Sequence, residues 1–362
     1  MSVNVYTEWD PLQEIIIGNV INTKLNFVMD FTFKLFYHEN INDQLIRNNK
    51  KLQQRLIIQR QEDLDNLANI LSDLGVKVKR PTMLNSPSDF ITPNFKSNLH
   101  PSDNPRDLVL IVGNKIIETP VLVRHRYFET DLLKPIFMDY FKNGAHWISA
   151  PKPTLVEESF DYTYIKSNDA NKRWADVKED DDKLEIMFDA AQCMKFGRDI
   201  IMNISTKNHV LGAEWLEREL GPDYKLHRVN LTDYHLDGMM MPLAPGKLLI
   251  NPISMEKKLH LLPEELQKWD IIHCVDKEIA TTDDETLLIA SENISVNVLP
   301  INEKQCIVFS STGSGLSSMR KSLEENGIEA IPVRLRHSRV FDGGVHCCSL
   351  DTIRKGNLET YF

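Results

Sequence analysis

Three short stretches of the chain carry residue types able to do covalent chemistry. Asp342-Gly343-Gly344-Val345-His346-Cys347-Cys348 sets a thiol just after two glycines. Glycine permits turns and close backbone approaches that other residues resist, so a thiol here can be presented to a substrate. The pattern equally describes a glycine-kinked strand whose small thiols are core. Tyr234-His235-Leu236-Asp237 places an imidazole and a carboxylate two residues apart, on one face if the segment is a strand. That pairing orients an imidazole for proton transfer, and a surface histidine satisfies it as well. In Phe188-Asp189-Ala190-Ala191 an acid stands between apolar neighbours, which alone reads as the N-cap of a helix through Cys193 and Met194. No metal site is expected: consecutive His-Cys-Cys residues cannot readily reach three corners of one tetrahedron, and no CxxC or HxxxH cluster helps.

Other features point to structure. Ser311-Thr312-Gly313-Ser314-Gly315 lacks the Gly-Lys-Ser/Thr ending of a phosphate loop and reads as a strand-to-helix turn. Met239 to Met241 reads as core. The acidic run Glu179 to Asp182 reads as a solvated loop, and Arg47, Lys50, Lys51 and Arg55 as the wet face of a helix.

The elements that must position these residues follow from hydrophobic periodicity. Leu64, Leu67, Ile70, Leu71 and Leu74 recur at helical spacing, Gly75 stops the helix, and Val76 to Val78 alternates as a strand. The same order of helix, turn and strand recurs at Phe137 to Ile148, Trp215 to Val229, Leu262 to Val275 and Met319 to Leu335. Hairpins are expected between these units: Asp107 to Glu118 turning at Gly113-Asn114, Met241 to Asn251 turning at Pro245-Gly246, and Val296 to Phe309 turning at Asn302 to Lys304. Glu14 to Gly18 supplies a further strand, yet no Gly-x-Gly-x-x-Gly follows it, which disfavours an open dinucleotide-binding sheet. Five helix-strand units with interleaved hairpins suggest an α/β chain closed by radial repetition.

Composition narrows the class. The chain has 362 residues, with 42 Lys plus Arg against 52 Asp plus Glu. Length alone suggests about two domains. A formal charge of −10 excludes a non-specific nucleic-acid binder and, if anything, steers cationic ligands. No apolar run of membrane-spanning length occurs; Asn26 to Tyr37 is broken by Asp30 and Lys34. The first residues lack the basic and apolar regions of a signal peptide. Cys193, Cys274, Cys306, Cys347 and Cys348 form an odd, sparse set suited to a reducing compartment. The expectation is a cytoplasmic protein acting on small molecules, with no nucleic-acid or membrane partner and with a homodimer left open.

Together, several long segments resemble the arginine:glycine amidinotransferase family of the pentein superfamily. The resemblance runs nearly end to end, through Tyr6 to Gly18, Asn104 to Pro120, Arg126 to Glu129, Gly144 to Pro153, Phe188 to Ala191, Gly197 to Asp199, Leu211 to Trp215, His235 to Asp237, Gly343 to Cys347 and Arg354 to Phe362. It implies a single domain over residues 1–362, a fivefold pseudosymmetric α/β propeller in place of two domains. It implies Cys347 as nucleophile, His235 as the histidine, Asp189 as the triad acid, and Asp107 and Asp237 as the carboxylates that grip a guanidinium. Ser291 falls where a serine helps hold the donor's amino-acid end, and Arg126 where some members use an arginine.

The family chemistry moves an amidino group from arginine to an amine through an amidino-cysteine, without metal or organic cofactor. Ser254 replaces a family arginine, Gln192 replaces an acid, Tyr234 replaces a methionine, and the Phe-rich stretch near residues 27 to 37 diverges. These changes are expected to line the mouth of the site and to select an acceptor other than glycine. Lysine is the preferred expectation, as in members serving phaseolotoxin biosynthesis. An arginine deiminase-type hydrolase and a non-catalytic pentein interaction module are the alternatives.

Overall fold

The computed structural model describes residues 2–20, 30–37, 54–86, 88–162, 182–276, 288–313 and 317–362. Arg47, Lys50, Lys51, Glu179 to Asp181, Ser314, Gly315 and the beginning of the Phe-rich stretch lie outside them.

Five three-stranded sheets are built alike. The hairpin of β5 (Val109–Val112) and β6 (Lys115–Glu118) turns at Gly113, whose φ is +56°, and β7 (His146–Ser149) then pairs parallel to β6. Helix α3 (Lys134–Lys142) makes the crossover. The antiparallel pair of β8 (Cys193–Phe196) and β9 (Asp199–Asn203) adds β10 (Lys225–Val229), reached through α4 (Lys207–Leu220). Strands β11 (Met240–Ala244) and β12 (Lys247–Ile250) add β13 (Asp270–His273). Strands β14 (Leu299–Asn302) and β15 (Gln305–Ser310) add β16 (Glu329–Arg334) by way of α6 (Ser317–Glu325).

The remaining sheet is assembled from distant parts of the chain. Its central strand β1 (Leu12–Ile17) pairs antiparallel with β17 (Ser349–Arg354) and parallel with β2 (Lys77–Lys79), which follows α2 (Gln54–Asp73). A small hairpin of β3 (Asp89–Ile91) and β4 (Lys96–Asn98) stands apart, and α1 (Phe31–Phe36) is capped by the Asp30 carboxylate. No described helix is long and apolar enough to cross a membrane.

Burial explains why the hairpins read as continuous apolar runs. Strands β5, β8, β11 and β17 are buried throughout, whereas the third strands β2, β7, β10 and β13 are largely half-exposed. A strand covered on both faces has no polar side to alternate with. On α2, Leu64, Leu67 and Leu71 bury against Ile15, Ile17 and Phe309. Met239 to Met241 are core, as expected.

Three local expectations are corrected. Cys193 and Met194 begin strand β8, because Asp189 starts only the short 3-10 turn Ala190–Gln192. The β8–β9 hairpin that results was hidden in the sequence by Lys195, Arg198 and Asp199. Leu262 to Trp269 is not an α-helix: α5 (Pro252–Met255) gives way to 3-10 turns at Glu256–Leu261 and Leu266–Lys268, and Pro263, lacking an N–H, separates them. His235 and Asp237 are not on a strand, since His235 leads into the 3-10 turn Leu236–Gly238.

The tail locks onto the second hairpin. Gly197 (φ +74°) donates to the Tyr6 carbonyl at 2.9 Å, and a Cβ there would lie 2.2 Å from the Glu359 carbonyl oxygen. Gly197→Ala is expected to destabilise the protein by about 2 kcal/mol or more, measured by denaturant unfolding, because both φ and space oppose the methyl group.

Candidate active site

Each of the five sheets has one innermost strand, and the segment just before that strand supplies the site. Asp107 ends the 3-10 turn Pro105–Asp107 before β5. Asp189 precedes β8, and His235 and Asp237 precede β11. Ser291 and Asn297 flank the turn Ile294–Val296 before β14. Cys347 precedes β17. Of these residues, which are remote in sequence, His235, Asp237, Ser291, Asn297 and Cys347 line a cavity of about 450 Å³ together with Asp342, whereas Asp107 and Asp189 are not on its wall and join the site through His235.

Gly343 and Gly344 earn their place by packing. A Cβ at Gly343 would lie 2.7 Å from the Cys347 Cβ, and one at Gly344 2.5 Å from the Phe309 ring. The turn they allow brings the Cys347 thiol to 3.3 Å from Asp237 Oδ2, to which it donates. Asn297 Nδ2 donates to the sulfur at 2.9 Å, while Asn297 Oδ1 accepts the amides of His346 and Cys347. Burial raises the Cys347 thiol well above its usual 9.0, and Asp237, Asp107 and Asp342 add to the effect. With only His235 as a neighbouring cation, this cysteine is a thiol.

His235 stands between two acids. Its Nε2 is 2.9 Å from Asp189 Oδ2 and its Nδ1 is 3.5 Å from Asp107 Oδ1. Burial disfavours the imidazolium, but Asp107 and the bond to Asp189 outweigh it and lift the pKa to about 10. Donor atoms of Asp107, His235 and Cys347 all lie within 4.8 Å of one another, near enough to act on one bound atom or to hold a metal ion. Asp237 is occupied differently from the sequence expectation. It turns from His235 to His346 Nδ1, 2.7 Å away, and that ring reaches Glu8 at 3.3 Å. Burial opposes ionisation of Asp237, yet the bond with His346 holds its carboxyl below the usual range.

Two oxygens in this cluster are conspicuous. Asp107 Oδ1 and Asp237 Oδ1 are buried and have no hydrogen-bond partner. A buried carboxylate oxygen left unpaired is costly. Both belong to groups that also contact the catalytic candidates, so the site is built to receive N–H donors carrying positive charge.

Arg126 is engaged elsewhere. It lies 2.7 Å from Asp107 Oδ2, 2.8 Å from Glu129 Oε2, and donates to the Asn104 carbonyl at 2.9 Å. Ser291 is exposed on the cavity wall. Among the divergent positions, Ser254 and Tyr234 line the cavity, but Gln192 does not reach its mouth. Its Oε1 accepts the Asp189 amide at 2.9 Å and its Nε2 donates to the Asn203 carbonyl, so it supports Asp189 from behind.

Sequence reasoning missed Asn297, His346, Glu8 and the acid Asp342. Asp342 has φ +52°, accepts from the Tyr37 hydroxyl at 2.6 Å, and burial pushes its carboxyl up to about 7. Glu8, His346 and Arg106 all lie inside the matching segments, and isolated charges within apolar runs were the only cue. Cys348 points away, its side chain in the core with Ile17 and Phe341. Burial raises Cys193, Cys274 and Cys348 to about 12, which leaves them inert.

Known proteins resemble the chain over nearly its whole length. The chain is 34% identical to inosamine-phosphate amidinotransferase 1 of Streptomyces glaucescens, with 99% of each chain covered. It is 35% identical to the L-arginine:L-lysine amidinotransferase of Pseudomonas savastanoi pv. phaseolicola, covering 98% of this chain and 95% of the relative. Against mitochondrial glycine amidinotransferase of Gallus gallus it is also 35% identical, covering 99% and 84%. The solved inosamine-phosphate amidinotransferase of Streptomyces griseus superposes with a TM-score of 0.86 at 32% identity, covering 100% of this chain and 99% of that one. A dimethylarginine dimethylaminohydrolase, 15% identical, shares the fold at a TM-score of 0.53. No family model matches. The chain belongs to the amidinotransferase family and is a transferase.

Two outcomes are expected. Because the His235 pKa is raised from 6.5 to about 10, its stabilising charge is fully present below about pH 6.5 and is lost as pH rises toward 10. Asp189→Asn should lower that pKa by about one unit or more, read by NMR titration of the ring, and flatten the loss of stability over this window. Separately, Cys347 alkylation by neutral iodoacetamide should keep accelerating through pH 9, whereas a low-pKa thiolate would plateau near neutrality.

Proposed function

We propose that the chain is an L-arginine-dependent amidinotransferase that works through an amidino-Cys347 intermediate, with L-lysine as acceptor and homoarginine and ornithine as products. The observation that carries the reading is the pair of buried oxygens that accept no hydrogen bond, Asp107 Oδ1 and Asp237 Oδ1, beside a thiol and a histidine–carboxylate pair. A guanidinium is planar and permanently charged, and two carboxylates hold its N–H groups and aim its central carbon. Its charge also relieves the anionic field that keeps Cys347 protonated.

The thiolate then attacks the central carbon while the thiol proton is taken up within the acid–imidazole cluster. His235 protonates the departing nitrogen as the C–N bond breaks, so ornithine leaves as an amine and a thiouronium remains on Cys347. The acceptor reverses these steps: its ammonium loses a proton, its nitrogen attacks, and Cys347 departs as leaving group. Asp189 orients His235 and stabilises its charged form. Every step is assigned to the chain's own groups.

Lysine is favoured by the 35% identical relative named for it and by a cavity wall bearing Asp233, Asp237 and Asp342. We take the five sheets as blades of one closed fivefold ring over residues 1–362. The repeated strand order and the pairing of β1 with β17 support that reading.

Arginine with a panel of lysine, glycine, diamines and an aminopolyol should release ornithine in ping-pong kinetics, most efficiently with lysine. Citrulline formed without ornithine would falsify the transfer reading in favour of hydrolysis. Arginine alone should add the mass of one amidino group to Cys347; an unmodified, properly folded protein would point to a binding module. Cys347→Ser should abolish turnover and Cys348→Ser preserve it. Asp237→Asn should lower kcat/KM for arginine by about 10³-fold, through lost grip on the guanidinium.

A further inference from the structure

Amidino transfer brings two cations together. The amidino group on Cys347 is a thiouronium, and the acceptor arrives as an ammonium. In the reaction proposed above Asp107 and Asp237 hold the first charge, so the second needs a carboxylate of its own beside the nucleophile.

Asp342 differs from the other acids around Cys347. Asp107 is paired with Arg126 at 2.7 Å, Asp189 with His235 at 2.9 Å and Asp237 with His346 at 2.7 Å. Asp342 has a neutral partner instead: its Oδ2 accepts the hydroxyl of Tyr37, which caps the C-terminal end of α1 (Phe31–Phe36), at 2.6 Å. One hydroxyl occupies only one of the roughly four acceptor positions of a carboxylate. Asp342 lines the same cavity as His235, Asp237 and Cys347, and Asp237 Oδ1 beside it is buried without a hydrogen bond. The next residue is Gly343, where a Cβ would lie 2.7 Å from the Cys347 Cβ. The acid therefore rides on backbone that packs directly against the nucleophile.

That backbone suits glycine better than aspartate. Asp342 holds φ at +52°, in the left-handed region. Asn104 Nδ2 fixes the turn by donating to the Phe341 carbonyl at 2.7 Å, and the Gly343 amide donates to the Ser338 carbonyl at 3.1 Å. A side chain kept where the conformation favours none points to a use for that side chain. Burial pushes the Asp342 carboxyl up to about 7, and a cation placed against it favours the ionised form.

We propose that Asp342 binds the ammonium of the incoming acceptor beside amidino-Cys347, and so selects acceptors that enter as cations. The assignment rests on the amidino-transfer reading above. The role is ion pairing: the ammonium proton passes to the acid–imidazole cluster as in that reaction, and Tyr37 steadies the carboxylate. Asp342 thus serves the second half-reaction and not the first.

The test separates the two halves. Arginine without acceptor gives one turnover of ornithine release and the adduct on Cys347. The adduct is then mixed with lysine or with hydroxylamine, an amine that is uncharged at neutral pH. Asp342→Asn should keep adduct formation within about threefold of wild type. It should lower transfer to lysine at least ~30-fold, as expected for losing one charged partner, and leave transfer to hydroxylamine within about threefold. Asp342→Gly, which suits the left-handed φ, should melt no earlier than Asp342→Asn and show the same loss with lysine. Unimpaired transfer to lysine, equal loss with lysine and hydroxylamine, or slowed adduct formation would each overturn the assignment. If wild-type protein forms no adduct with arginine, the transfer reading itself fails, and the role of Asp342 fails with it.

Discussion

Burying several carboxylates around one thiol is the constraint on which the rest of this structure depends. Ionised groups withdrawn from water are tolerated only when paired and hydrogen-bonded. Asp107 leans on Arg126, Asp189 on His235, and Asp237 on His346. Behind His346 the charge compensation continues through Glu8 to Lys195 at 2.9 Å, and Arg354 holds Asp351 at 2.8 Å. Arg106 joins the halves by bonding Asp351 and the main-chain carbonyls of His346 and Ser349. These residues form one compensated network in the buried polar middle of the protein, and within it Asp107 Oδ1 and Asp237 Oδ1 accept no hydrogen bond.

That incompleteness is where structure becomes function. The acids around the thiol keep it protonated, and in the proposed reaction the arriving guanidinium relieves that field, so reactivity is coupled to binding the right charge. The imidazole has the opposite bias, held protonated by the same acids. In the proposed reaction one set of carboxylates thus prepares both partners: an acid to protonate the departing amine and a thiol that ionises when a guanidinium is present. The precision this needs comes from placing each group directly before a buried strand, where packing on both faces fixes the backbone.

Much of this was legible in the sequence, and the failures share a cause. Helices α2, α3, α4 and α6 with their following strands were readable because Leu67 or Phe137 repeats at helical period and glycine ends the turn. Gly113 and Gly246 marked their hairpins for the same local reason. The β8–β9 hairpin was obscured by Lys195 and Asp199, charges that look like surface in sequence and are buried in the fold, where Lys195 pairs with Glu8 and Asp199 contacts the His227 ring at 2.7 Å. The segment 262–269 was misjudged because apolar spacing does not register the break that Pro263 imposes.

By itself the sequence determined the chemistry-bearing segments and the order of helix and strand, because those depend on residue type and on neighbours a few positions away. The resemblance also pointed to Cys347, His235 and Asp189. Only the tertiary structure decided which acid faces which partner. His235 and Asp237 are two residues apart yet serve different groups, while His235 and Asp189, 46 apart, share a hydrogen bond. It also decided that Arg126 balances buried acids, that Cys348 is core beside the cavity-lining Cys347, and that two carboxylate oxygens accept no hydrogen bond. Each of these depends on desolvation and on contacts between distant strands, and local pattern contains neither.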